Sequence, residues 1–260
     1  MRPAVLAMLV ALVVAIGAAA PASAHVAPAV GDNNRYLKLT PLGDRIRLAY
    51  TVFYGEVPGA TLRRTIDRNH DGTIDDRETQ AFGERIAKGV AATLIIAVDH
   101  IPQPVAWSEV VVGLGTPSAA AGAFSIDLVA WLCLSSPRGK HAVLLRDAYP
   151  LERPGETEVK VEDSPGVTIA VTRIGGAEDE AHDYRLVGPS GALETDGLDL
   201  QFTAGDKAVI GGDATCHVAS SPPLPAAIIV ATAVALAFVL AGLVTLVRRL
   251  RRHAAVRTRR

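Results

Sequence analysis

Acidic residues are missing from both ends of this 260-residue chain: all 27 lie between Asp32 and Asp213. Whole-chain basicity is absent too, since 26 Lys and Arg leave a formal net charge of −1, which argues against a nucleic-acid-binding surface. Aromatics are scarce at 5%, but apolar residues make up 49%, so composition does not point to disorder. There are only two cysteines, and nothing at metal-finger spacing accompanies them. Short catalytic signatures are also lacking. There is no Gly-x-Ser-x-Gly elbow, no His-Glu-x-x-His helix, no phosphate-cradling loop and no Ser or Cys with an evident His partner. Gly113-Leu114-Gly115 follows a strand but lacks the third glycine and the helix. The chain therefore reads as a non-enzyme, with a hydrolase of dispersed residues as the remaining catalytic alternative.

The near-zero net charge conceals a division. Residues 25–220 hold 18 basic against 27 acidic side chains, while Arg248, Arg249, Arg251, Arg252, Arg257, Arg259 and Arg260 give the tail +7. That split points to two compartments. Arg2, the apolar run Ala4 to Ala20 and the small-residue pattern Ala22-Ser23-Ala24 predict a signal peptide over 1–24, with His25 as the mature N-terminus; the alternative is an uncleaved anchor helix. Residues 226–247 carry no charge, and at helical rise they span roughly 33 Å, the thickness of a bilayer's hydrocarbon core. With the arginines directly after it, this segment predicts a single-pass type I membrane protein: a 25–219 extracytoplasmic domain, a Pro-rich stalk over 220–225, and a basic cytoplasmic tail over 248–260. Small residues four apart, Ala227, Ala231 and Ala235, allow weak homodimerisation through the span.

Cys133 and Cys216 both fall in the exported part and predict a disulfide. Closing that loop would stabilise the domain by about 4 kcal/mol on the chain-entropy account. Free thiols and a Cys/His metal site involving His217 are the alternatives.

Within the domain the hydrophobic period changes. Tyr36-Leu37-Lys38-Leu39 and Arg45 to Tyr54 alternate and are joined by Pro41-Leu42-Gly43-Asp44, which reads as a β-hairpin. From Pro58 to about Val90 the spacing becomes helical, with Leu62 and Ile66 on one helix and Phe82, Ile86 and Val90 on another. Strand-like runs then return at Thr93–Val98, Glu109–Val112, Phe124–Leu134, His141–Leu145, Glu156–Val161, Val167–Arg173, Asp183–Leu186 and Leu198–Thr203. The fold class predicted is mainly β: an antiparallel β-sandwich with a helical hairpin inserted at 58–91, plus one transmembrane helix.

Between the two helices runs Asp67-Arg68-Asn69-His70-Asp71-Gly72-Thr73-Ile74-Asp75-Asp76-Arg77-Glu78. This resembles an EF-hand calcium loop at every diagnostic position. The pattern assigns Asp67, Asn69 and Asp71 as side-chain oxygen ligands and Thr73 as a backbone carbonyl ligand. Asp75 acts directly or through water, and Glu78 closes the site with both oxygens. Gly72 permits the sharp turn, and Ile74 pins the loop to a neighbouring strand. Hard oxygen donors select Ca²⁺. No second loop follows, because Asp196 and Asp199 do not reproduce the spacing. A single extracytoplasmic site suits a structural role better than a sensing one. The acidic stretch Glu178-Asp179-Glu180-Ala181-His182-Asp183 reads as a solvated loop.

His25, the run Asn34 to Tyr50, Gly55-Glu56-Val57-Pro58 and the acidic loop together resemble the exported N-terminal region of bacterial nickel/cobalt permease-like proteins, over residues 25–90. The resemblance implies a β-rich module joined to a metal-transport system. With one span and no metal-binding transmembrane signature the chain is not itself the permease, so the partner implied is a membrane transporter or another extracytoplasmic protein. His25, as a free N-terminus, would offer amino and imidazole nitrogens as a second, transition-metal site. A structural or adhesive surface domain stabilised by calcium is the alternative function.

Overall fold

The computed structural model describes residues 30–178, 185–186 and 192–211. The alternating segments form β1 (Asn33–Pro41) and β2 (Arg45–Tyr54), paired antiparallel from Asn33 opposite Tyr54 to Pro41 opposite Ile46. Their alternation decides which face is buried: Leu37, Leu39, Ile46, Leu48, Tyr50 and Val52 are all 0% exposed. Each such side chain contributes roughly 1.5–3 kcal/mol by leaving water.

Two helices follow, α1 (Glu56–Ile66) and α2 (Asp76–Thr93), then β3 (Leu94–Val98), β4 (Ile101–Pro102), β5 (Trp107–Gly113), β6 (Phe124–Cys133), β7 (Gly139–Asp147), β8 (Pro154–Val161) and β9 (Val167–Ile174). The described part closes with β10 (Ala177–Glu178), β11 (Arg185–Leu186), a single helical turn α3 (Ala192–Thr195) and β12 (Leu198–Ala204). The fold is mainly β, in two six-stranded sheets ordered β11-β8-β1-β2-β6-β5 and β10-β9-β12-β7-β3-β4. Buried side chains from both sheets, among them Leu48 and Leu128 from the first and Leu145 and Leu200 from the second, belong to one core.

Several details depart from the sequence expectation. The hairpin occupies 56–93 rather than 58–91. Pro58 sits inside the first turn of α1, where backbone N–H groups have no helical partner to lose. The strands are not all antiparallel, because β8 lies parallel to β1, with Leu37 beside Val159. The short β4 and β10 were not anticipated, two residues being too few to show a period. Of the expected 183–186 run, the described residues 185–186 form β11. Among the described residues no helix is long and apolar enough to cross a membrane. The expected signal peptide, span, stalk, tail, His25, His182, His217 and Cys216 all lie outside the described residues.

A charged tie crosses between the sheets. Alternation puts Arg35 on the inner face of β1 with Leu37, and its Nη1 meets Asp147 Oδ2 of β7 at 2.6 Å. Tyr50 donates its hydroxyl to the same oxygen at 2.8 Å, and the Tyr149 N–H donates to Oδ1 at 2.9 Å. Arg35 Nη2 donates to the Tyr149 carbonyl at 2.7 Å. Burial, reinforced by the Asp147 charge, pushes the Tyr50 hydroxyl well above its ordinary pKa, so it stays a donor.

The helical hairpin packs on the first sheet. Phe82 of α2 meets the Tyr54–Phe124 stack, in which the ring centroids are 4.8 Å apart, and its own centroid is 5.9 Å from that of Phe124. The Trp107 indole N–H donates to the Ala87 carbonyl at 2.8 Å, tying α2 to β5. Gly59 of α1 lies so close to the segment entering β6 that a Cβ there would stand 2.6 Å from the Gly122 carbonyl oxygen.

Candidate metal centre

The connection between α1 and α2 is held by hydrogen bonds that its residue types dictate. Asp67 directly follows α1 and is 4% exposed; its Oδ2 accepts the Gly72 N–H at 3.0 Å, five residues on. Gly72 has φ 85, a left-handed conformation that glycine adopts at little cost. Asn69 Oδ1 accepts the Asp71 N–H at 3.0 Å, and Asp71 Oδ1 accepts the Thr73 N–H at 2.8 Å, so each polar residue turns the backbone for the next. The Asn69 side-chain amide also donates to Asp71 Oδ2 at 2.9 Å.

Asp75 and Glu78 start α2 as a reciprocal capping pair. Asp75 Oδ1 accepts the Glu78 N–H at 2.7 Å, and Glu78 Oε2 accepts the Asp75 N–H at 3.2 Å. Glu78 Oε1 reaches across to the loop's start, accepting the N–H groups of Arg68 at 2.7 Å and Asn69 at 3.3 Å. Glu78 thus joins the two ends of the loop. Asn69, Asp75, Arg77, Glu78 and Ala81 line, with Arg68, an open depression of about 370 Å³.

One atom in this network has nothing to bond. Asp67 Oδ1 is buried and has no hydrogen-bond partner. A buried carboxylate oxygen left bare costs about 1–3 kcal/mol or more, and its sister oxygen already spans the loop to Gly72. Among the described residues no three His, Cys, Asp or Glu side chains converge as a ready-made metal cluster. The loop's carboxylates are turned instead to the neighbouring N–H groups. The expected donor set also includes an amide oxygen at Asn69 and a backbone carbonyl at Thr73.

Ile74 does pin the loop, being 3% exposed with its N–H donating to the Pro117 carbonyl at 2.7 Å. Ala119 N–H donates back to the Gly72 carbonyl at 3.0 Å, and Thr73 pairs with Ser118 as an antiparallel bridge.

A second polar cluster escaped the sequence reading. Asp99 Oδ2 accepts the Ser135 hydroxyl at 2.6 Å and meets His141 Nδ1 at 2.9 Å, while Oδ1 accepts the Ala142 N–H at 3.0 Å. Burial works to raise the Asp99 pKa, but these hydrogen bonds outweigh it and hold the carboxyl below its ordinary value. Ser135 and His141 both bond the same Asp99 oxygen. The trio secures the β3–β4 turn, where Asp99 and His100 both have positive φ, 50 and 67, as a two-residue hairpin turn of this type requires. An Asp-His pair between two apolar runs was the one available signal, since the partners lie about 40 residues away.

Cys133 is buried at the end of β6, and its proposed partner Cys216 lies outside the described residues. His70 is exposed in the loop. No protein-family model and no curated protein matches the chain.

Proposed function

We propose that the chain is a membrane-anchored, extracytoplasmic calcium-binding module, non-catalytic, acting as an accessory or interaction domain for a metal transporter of the nickel/cobalt type. The observation that carries the calcium reading is Asp67 Oδ1, a buried carboxylate oxygen without a partner at the first position of a twelve-residue loop of EF-hand spacing. Asp67, Asn69, Asp71, Asp75 and Glu78 offer side-chain oxygens and Thr73 a carbonyl, a hard donor set suited to Ca²⁺. The bound ion would supply positive charge to a ligand set with four carboxylates, at Asp67, Asp71, Asp75 and Glu78. The residues' own work is to hold that loop: Gly72 turns it, Ile74 anchors it, and Glu78 joins its ends.

On this reading the two sheets form a β-sandwich and the hairpin is its EF-hand-like insertion. A Cys133–Cys216 disulfide ties the segment before the stalk to the domain, and residues 226–247 cross the membrane with the arginine tail inside. The transporter partner rests on the resemblance of residues 25–90.

Calorimetric titration of the full-length, detergent-solubilised protein with Ca²⁺ tests the site. One ion per chain is expected in wild type, with none for Glu78→Gln at the same concentrations. Absence of heat and of any calcium-dependent change in wild type would overturn the reading. A cytoplasm-only reporter fused after Arg260 should be active, and one fused after Ser220 silent. The reverse pattern would overturn the topology.

A further inference from the structure

The helical hairpin buries a charge that no carboxylate receives in its hydrogen bonds. Arg63, in the last turn of α1, is 0% exposed. Its Nε donates to the Gly122 carbonyl at 3.0 Å, and its Nη1 to the carbonyls of Thr116 at 2.8 Å and Ser118 at 3.1 Å. Its Nη2 donates to the Ala123 carbonyl at 3.2 Å and to that of Leu114. All five acceptors are backbone oxygens of one segment, the connection between β5 and β6. A guanidinium is the side chain with enough rigidly spaced N–H groups to hold so many carbonyls at once. Its Cζ lies 5.3 Å from the centre of the Phe124 ring, which covers it. Burial lowers the Arg63 pKa, with Glu56 opposing. Guanidinium begins so high that the group stays charged.

The same segment meets the ion loop with its other edge. Carbonyls 114, 116 and 118 point to Arg63, while the intervening Pro117 carbonyl and Ala119 N–H bond to Ile74 and Gly72. Strand-like geometry is confined to the isolated bridge of Ser118 to Thr73, which lies between a bend at 115–116 and a turn at 119–120. Two bonds flank Thr73, the one residue of the expected ligand set that would use its backbone, so this segment sets the orientation of that carbonyl.

We propose that Arg63 is the positioning residue of the calcium site and that residues 114–123 are its second half, so that ion occupancy and order in this segment are one coupled equilibrium. The proposal rests on the calcium reading. A loop pinned by the β5–β6 connection of its own chain needs no second loop to complete it. With the segment held by Arg63, part of the ordering cost of Gly72–Ile74 is met on folding and only the remainder is drawn from ion binding, and partial preorganisation of this kind raises affinity. Arg63→Lys keeps the charge but replaces a five-donor fork with a single ammonium, which cannot span the same carbonyls.

Amide hydrogen exchange on the full-length protein in detergent, in saturating Ca²⁺ and in chelator, tests the coupling. Wild type should show calcium-dependent protection in peptides covering 67–78 and in those covering 114–123. Protection confined to 67–78 would overturn the coupling and leave the calcium reading intact; protection in neither would remove the calcium reading itself. Arg63→Lys should weaken Ca²⁺ binding by about tenfold or more without touching a ligand, as loss of supporting partners does at metal sites. Ile96→Val, in the second sheet, should lower the melting temperature and leave the affinity unchanged. Wild-type affinity in Arg63→Lys would overturn its positioning role, and if that variant does not fold, the wild-type exchange pattern still decides.

Discussion

Replacing Asp67 by Asn should change sign with calcium. In the structure Asp67 Oδ2 holds the Gly72 N–H at 3.0 Å and Oδ1 is buried and bare. An Asn oxygen can keep the Gly72 bond. Without calcium, the substitution removes one of four carboxylate charges from the loop, at Asp67, Asp71, Asp75 and Glu78, and relieves a buried unpaired charge. Stability in chelator should therefore stay level or rise by about 1 kcal/mol, the amide's unpaired N–H groups offsetting part of the relief. With free Ca²⁺ at about a hundred times its dissociation constant, wild type gains roughly 2.7 kcal/mol, because the ion binds the folded loop and not the unfolded chain. For a domain of this size that gain corresponds to a rise of about 5–11 °C in melting temperature. The Asp67→Asn variant forfeits most of it, so it melts at or above wild type in chelator and well below it in calcium. Intrinsic fluorescence of Trp107 and Trp131, on the paired strands β5 and β6, reports the transition. Equal destabilisation with and without calcium would refute the argument, since it would make Asp67 only a backbone brace for Gly72. A wild-type melt unmoved by Ca²⁺ or chelator would refute it as well.

Arg35→Met leaves Asp147 buried without its cation and should cost about 3–5 kcal/mol in urea unfolding, whereas adding Asp147→Leu should recover much of the loss. Gly59→Ala drives a Cβ to 2.6 Å from the Gly122 carbonyl oxygen, and backbone cannot yield as a flexible side chain does. Its stability should fall by about 1–3 kcal/mol. The folded pKa of Asp99 is lowered, so its contribution is present above the unfolded value of about 3.9 and is lost as pH falls through the folded one. Asp99→Asn should accordingly be less stable at neutral pH and show a flatter acid limb; an identical pH profile would show that the Ser135 and His141 bonds do not matter. Thiol alkylation of the folded, non-reduced protein should label neither Cys133 nor Cys216. Labelling of both would remove the disulfide.

What the sequence determined by itself is local. Alternation from Arg45 to Tyr54 decides that Ile46, Leu48, Tyr50 and Val52 share the buried face, because side chains of a strand repeat every two residues. Helical spacing after Pro58 selects Ile66, Phe82 and Val90 for burial. The twelve residues from Asp67 to Glu78 carry their turn chemistry in their own side chains, so the roles of Gly72 and Ile74 were legible before any contact was known, whereas Asp75 and Glu78 read only as ion ligands and their reciprocal capping emerged with the structure. Arg35 was legible only by half. Alternation puts its charge on the inner face, but no pattern within β1 names Asp147 more than 100 residues away. The parallel pairing of β1 with β8 leaves no mark in the period of either strand and is decided by how the sheets fill their common core. Tertiary structure alone also turned Arg63 inward. Its position on α1 resembles that of any helix-surface arginine, and the carbonyls that satisfy it lie 51 to 60 residues further along. A buried charge is tolerated only where the whole fold assembles enough dipoles around it, and that assembly is long-range by nature.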